Sequence, residues 1–196
     1  MLYNTFYSIP PKMKLALKKI FLPILIGLMT ISTADLQAQD QTVERVGDVL
    51  LFAIPATAFG SSLVIGDTEG TWQFTKGLLL NQLLTLGIKE SINKPRPYDN
   101  GNNAFPSGHT STAFQGASFI HQRYGFKYGL PAYLLAGFTG YSRIEAQRHD
   151  TWDVLAGALV GIGSTYLFTT PYQRTHMEIT FSNQGNKYVF GFKYKF

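Results

Sequence analysis

Five apolar stretches, roughly at 47–66, 72–92, 107–122, 128–142 and 151–169, constrain the fold most. Each runs for roughly 15 to 21 residues, well beyond a typical strand and ample for a helix. Gly- and Pro-bearing clusters at 67–70, 94–105 and 124–129, and a polar, charged segment at 143–149, separate them; Gly and Pro end helices and make turns. Connections this short set consecutive helices antiparallel. The expected fold is therefore all-α, an antiparallel helical bundle.

Alternation sorts the loops. The loops at 93–106 and 143–149 each follow an outward-running helix and share one end of the bundle. Those at 67–71 and 123–127 share the other. The last twenty residues differ: 177–182 and 188–196 alternate apolar and polar residues around an Asn-rich turn, which predicts a short β-hairpin.

Residues 1–38 stand apart. Lys12, Lys14, Lys18 and Lys19 precede an apolar run at 20–31, followed by Thr33, Ala34 and Ala38. Charge, then apolar run, then small residues is the layout of a secretory signal peptide, with cleavage after Ala38. An uncleaved anchor is the alternative, although the run is shorter than the roughly 20 residues that cross a bilayer. The chain thus divides into a leader at 1–38, a helical bundle at 39–176 and a hairpin extension at 177–196. Its expected location is outside the cytoplasm: the inner membrane with a periplasm-facing site, or the soluble periplasm. The uncharged stretches at 49–66 and 154–171 favour the membrane.

Charge adds an exclusion. Of the net +5, the leader takes four of 17 basic residues and one of 12 acidic ones, leaving +2 for the rest. That balance gives no basic stripe for nucleic acid. With no cysteine, thiolate catalysis, disulfides and cysteine zinc sites are ruled out.

Three clusters carry the candidate chemistry: Lys89-x6-Arg96-Pro97, Pro106-Ser107-Gly108-His109, and Ser142-Arg143-x5-His149-x3-Asp153. Lys89, Arg96 and Arg143 are three cations near one end, suited to the equatorial oxygens of a phosphoryl group. Pro95 and Pro97 stiffen the chain around Arg96. Ser107 reads as a helix N-cap, and the first turn behind it offers unpaired N–H groups to an anion. Gly108 permits close approach of an oxyanion, and His109 lies beside it. His149 and Asp153 are one helical turn apart, which sets a carboxylate on Nδ1 and leaves Nε2 for attack. Asp150 reads as a cap. No dense carboxylate cluster is present for magnesium or calcium, so the residues describe phosphoryl transfer to a histidine with no cofactor.

In these clusters the chain resembles the type 2 phosphatidic acid phosphatase superfamily, which also holds bacterial class A acid phosphatases and vanadium-dependent haloperoxidases. The match fills every specified position of the three signatures across residues 89–153. The resemblance implies His149 as nucleophile, Asp153 orienting it, and His109 as general acid and then base. It also implies Lys89, Arg96, Arg143, Ser107 and the Gly108 N–H as phosphate ligands. The implied partner is a phosphorylated lipid or small molecule, with a membrane alongside in the lipid case. A vanadium haloperoxidase and a non-catalytic membrane protein are the rivals from other classes. A soluble periplasmic acid phosphatase is the rival within the phosphatases.

Overall fold

The structure, a computed structural model, describes residues 36–99, 101–172, 177–184 and 187–194, with side chains from residue 41 through 98 and from 101 through 172. The helices are α1 (Leu36–Ile65), α2 (Thr68–Ile92), α3 (Gly108–Tyr124), α4 (Phe126–Glu145) and α5 (Thr151–Tyr166), with a single 3₁₀ turn at Pro97–Asp99. The described bundle is all-helical, as expected. The first helix begins well before the apolar stretch at 47–66, and this brings a polar turn into the bundle. The expected leader lies outside the described residues except for 36–38, which open α1. Beyond the bundle, Met177–Gln184 (β1) and Lys187–Tyr194 (β2) pair antiparallel, Met177 opposite Tyr194.

Helix α3 is central and packs against the other four. It can do so because its side chains are small: Ser111, Ala113, Gly116, Ala117 and Ser118 are all buried. Gly157 and Gly161, four apart on α5, present a flat stripe to it. A Cβ at Gly157 would strike the Ser107 carbonyl and one at Gly161 the Ser111 carbonyl. On the far side, a Cβ at Gly116 would come within 3.0 Å of the Pro55 backbone of α1. Small residues that let helix backbones approach closely are the packing device of helices in lipid.

Polarity is distributed in an unusual way. The interior holds Ser61, Asn81, Thr85, Gln115, Thr139 and Thr165, all essentially inaccessible. The outside carries Phe52, Leu83, Leu134, Leu159 and Leu167, each more than two-thirds exposed. Aromatic residues mark both ends of this apolar belt. Tyr98 and Trp152 are exposed where α2 ends and α5 starts, and Trp72 and Tyr166 where α2 starts and α5 ends.

At the end of the bundle away from the three clusters, Arg123 clamps Asp67. Its Nε donates to Asp67 Oδ2 at 2.7 Å and its Nη2 to Oδ1 at 2.6 Å, while Tyr124 donates its hydroxyl to the same carboxylate at 3.0 Å. Arg123 Nη1 reaches the Thr170 carbonyl. Both members of the pair are buried. In sequence, Arg123 reads as a loop cation; here it is an interior partner that fastens the α1–α2 turn to α3.

Candidate active site

Backbone hydrogen bonds stitch the three clusters together. The amide of Ser107, which opens α3, donates to the Asp153 carbonyl in α5 at 2.9 Å. The amides of Arg148 and His149 fold back onto the Arg143 carbonyl at the close of α4. That tight reversal puts Gln147 at φ 55, in the left-handed region. The loop leaving α2 is braced in turn: the Ala104 amide donates to the Lys94 carbonyl, and Lys89 Nζ to the Asn103 carbonyl. Residues about 60 apart in sequence thus meet at one end, as the alternation of helices predicts.

His149 sits in this reversal, two residues ahead of α5, with only 5% of its surface exposed. Asp150 caps α5 in a reciprocal box with Asp153: the Asp153 amide donates to Asp150 Oδ1, and the Asp150 amide to Asp153 Oδ2, both at 3.0 Å. Lys94 completes the set, donating to Asp153 Oδ1 at 2.8 Å and to Asp150 Oδ2 at 2.5 Å. Asp153 is therefore held on two sides. His149 Nδ1 faces its Oδ2 at 3.5 Å and has no hydrogen-bond partner. That distance is longer than a hydrogen bond. The expected Nδ1–carboxylate contact is thus an alignment of the two groups rather than a formed bond, because the carboxylate answers Lys94 and the cap first. Burial, the Lys89 and Arg96 charges outweigh Asp153 and push the His149 imidazole down to about 4, so the ring is neutral over most of the pH range.

The cations surround the two imidazoles. Lys89 closes α2 and Arg143 closes α4. Arg96 is half-buried, its Nε donating to the Asn102 carbonyl. Its charge acts on both His109 and His149. Ser107 is the N-cap of α3. It is fully buried, and its Oγ accepts from the Thr110 amide at 3.4 Å and the Thr110 hydroxyl at 2.9 Å. Both acceptor positions are then occupied, which leaves the Ser107 hydroxyl its proton to donate. A Cβ on Gly108 would make only ordinary contact with Thr85 and Lys89. An open depression of about 390 Å³ at His149 is lined by Pro97, Tyr98, Ile144, Gln147 and Thr151. Among the described residues, no three His, Asp or Glu converge as metal ligands.

Three further residues belong to the site and were not among the sequence candidates. Asp48 Oδ1, on α1, takes a hydrogen bond from Arg143 Nη1 at 2.8 Å and lies 3.0 Å from His109 Nε2. Glu44, one turn earlier, accepts from Arg143 Nη2 through its carbonyl at 2.6 Å and from Arg148 Nε through its carboxylate at 3.0 Å. Gly47 lies between them, where any Cβ would collide with Ser142 and Arg143. Lys94 is the third. The sequence signal for Glu44 and Asp48 was their i, i+4 spacing around Gly47, where the polar start of α1 passes into the apolar stretch. Lys94 lay hidden among the unspecified positions between Lys89 and Arg96.

Comparison with known proteins agrees with this assembly. The family model described as the PAP2 superfamily matches residues 98–176. The chain is 31% identical over 195 residues to the lipid A 4'-phosphatase of Helicobacter pylori, covering 91% of this chain and 98% of that protein. It is 47% identical over 77 residues to the lipid A 1-phosphatase of Porphyromonas gingivalis, which is 38% of this chain and 17% of the other. In fold it is similar to the crystal structure of Aquifex aeolicus LpxE, with a TM-score of 0.56 at 22% identity, over 83% of this chain and 96% of that one. Near full-length similarity to one relative and a family match running through the His149 loop point the same way: the chain belongs to the PAP2 superfamily, as a phosphatidic acid phosphatase-like phosphoric ester hydrolase.

Proposed function

We propose that the protein is a membrane-embedded lipid phosphatase that works through a phosphohistidine on His149. The convergence of two imidazoles, three cations and a helix N-terminus at one end of the bundle carries the reading. In the first step a neutral His149 attacks phosphorus through Nε2, with Asp153 and Lys94 behind it fixing the ring. Lys89, Arg96 and Arg143 spread the charge of the phosphoryl oxygens, joined by the Ser107 hydroxyl and the first-turn N–H of Gly108. As the P–O bond breaks, His109 gives its proton to the leaving oxygen. In the second step water attacks the phosphohistidine, and His109 takes a proton from that water. No metal or other cofactor has a part in either step.

The apolar belt supports a lipid rather than a soluble ester. Leu159 is 72% exposed and Leu134 69%, whereas the interior is lined with Ser, Thr, Asn and Gln. Large aliphatic side chains outside and small polar ones inside suit a lipid surround. The aromatic residues at both ends lie where a membrane meets water. Of the described helices, Gln41–Ile65 alone has the length and apolarity to cross a bilayer by composition. The relatives named as lipid A phosphatases make a phosphorylated glycolipid the leading candidate substrate. A leader entering from the cytoplasm would place the start of α1, and with it the site, on the periplasmic side. The hairpin at 177–194 stays outside the catalytic unit in this reading.

Fractionation with and without detergent, followed by phosphate release from lipid A, phosphatidate, phosphatidylglycerol phosphate, undecaprenyl diphosphate and soluble esters, tests both parts. The expected result is activity in the detergent-extracted membrane fraction on lipid esters, lost in His149→Ala. Activity confined to detergent-free soluble protein acting on water-soluble esters would overturn the membrane reading and favour a soluble acid phosphatase.

A further inference from the structure

Asp48 lies outside all three clusters, on a helix that contributes none of the family's signature residues. It nevertheless touches two of the groups on which the chemistry depends. One oxygen, Oδ1, is shared between Arg143 Nη1 at 2.8 Å and His109 Nε2 at 3.0 Å. The chain arranges this approach at close quarters. Gly47 removes the side chain that would strike Ser142 and Arg143, and Glu44 takes Arg143 Nη2 through its carbonyl. With Arg143 Nε on Ser142 Oγ, three of five guanidinium N–H groups are fixed and two are left for an anion. α1 therefore acts as a wall that sets the angle of Arg143 and the tautomer of His109 together.

We propose that Asp48 is a positioning residue for the general acid: it holds His109 by Nε2–H, so that Nδ1 is the atom that exchanges the proton with the ester oxygen. This rests on the phosphatase reading above. An ionised carboxylate accepts only, so the ring nitrogen facing it carries hydrogen. The balance then follows. As His149 Nε2 bonds to phosphorus and the P–O bond breaks, the leaving oxygen takes the Nδ1 proton. His109 becomes neutral with its proton on Nε2, and Asp48 stays ionised. In the hydrolytic step Nδ1 recovers a proton from water.

The surrounding charges explain why such a residue is needed. Burial and Arg143 depress the His109 imidazole below its ordinary value, and Arg96 adds to this, while Asp48 opposes them. Lys89 also lies beside the first turn of α3, its chain 3.9 Å from where a Gly108 Cβ would sit. Among the charged groups facing His109 from α1, α2, α4 and the 93–106 loop, Asp48 is the one that favours the protonated acid by direct contact.

Wild type, Asp48→Asn, Asp48→Glu and His149→Ala are compared in detergent, with phosphate release from phosphatidate in mixed micelles followed against pH. Asp48→Asn is expected to lower kcat by about 10- to 100-fold, within the range of a general acid, with KM little changed. Its descending pH limb should move to lower pH by about one unit or more, and Asp48→Glu should restore it in part. The His109 ring, titrated by NMR in the same micelles, should move the same way. Unmoved limb and ring midpoint, with a similar melting temperature, would overturn the proposal. So would a higher kcat with a lower KM, which would make Asp48 a carboxylate that merely occupies the phosphate site. If wild type releases no phosphate from any ester, the phosphatase reading fails by itself, and the ring titration still decides whether Asp48 governs His109.

Discussion

Lys94 Nζ lies 2.8 Å from Asp153 Oδ1, so the carboxylate behind the proposed nucleophile is held by a cation from another loop. Lys94 also reaches Asp150, the cap of the same helix. One side chain thus ties the start of the loop that leaves α2 to the first turn of α5. Lys94→Ala should free Asp153 to turn and let His149 drift. A displacement on the order of 1 Å costs about 100-fold in rate. The expected outcome is a fall in kcat with KM little altered, partly rescued by Lys94→Arg, in single-turnover phosphate release. A rise in KM at constant kcat would instead make Lys94 a substrate ligand.

The pH profile follows from the two imidazoles. His149 must be neutral to attack, and its folded value of about 4 sets the ascending limb there. His109 must be protonated to act as acid. Burial and the Arg143 charge hold it below the ordinary histidine value, so the descending limb falls on the acid side of neutrality. Because kcat/KM reports the free enzyme, its profile should be a bell with an acidic optimum. A rate that climbs steadily to about pH 10, where both rings are neutral, would contradict the assignment of roles.

The Asp67–Arg123 pair predicts a stability effect with no catalytic cause. Asp67→Ala leaves the Arg123 guanidinium buried without its carboxylate. Breaking one partner of a buried pair costs about 3–5 kcal/mol. The thermal midpoint in detergent should fall markedly, while kcat of the protein still folded at low temperature stays near wild type. An unchanged midpoint would mean that the clamp contributes little.

The α3–α5 contact allows a matched comparison. Gly161→Leu would drive a side chain into the Ser111 carbonyl, and overpacking of this kind costs about 1–3 kcal/mol. Because α3 also carries Ser107 and His109, activity should fall along with stability. A Cβ on Gly163, on the same helix, would meet nothing within 4 Å. Gly163→Ala should leave activity unchanged and stabilise by up to ~1 kcal/mol. Equal effects of the two substitutions would argue against close packing at the Gly157–Gly161 stripe.

Helix order and the sorting of loops into two ends were legible in the sequence because apolar run length and Gly/Pro punctuation report local structure. The capping role of Asp150 and the start of α3 at Ser107 were legible for the same reason. Asp48 was not: its partner Arg143 is distant in the chain, and a lone charge at the start of the apolar stretch gives no periodicity that would say what it meets. Lys94 was missed because motif spacing names Lys89 and Arg96 and leaves the residues between them blank. Arg123 reads only as a charge of the 123–127 loop, since nothing local announces that Asp67 lies beside it in the fold. Long-range ion pairs are invisible to a pattern that records only which residues avoid water.

A phosphohistidine on His149 can be trapped. The enzyme is mixed with a ³²P-labelled aryl phosphate, whose good leaving group needs little help from an acid, and quenched in alkali, in which phosphohistidine survives. Labelled protein is expected with the label on His149, none in His149→Ala, and more in His109→Ala, where water lacks its base. Label on another residue, or none while phosphate is released at full rate, would contradict it.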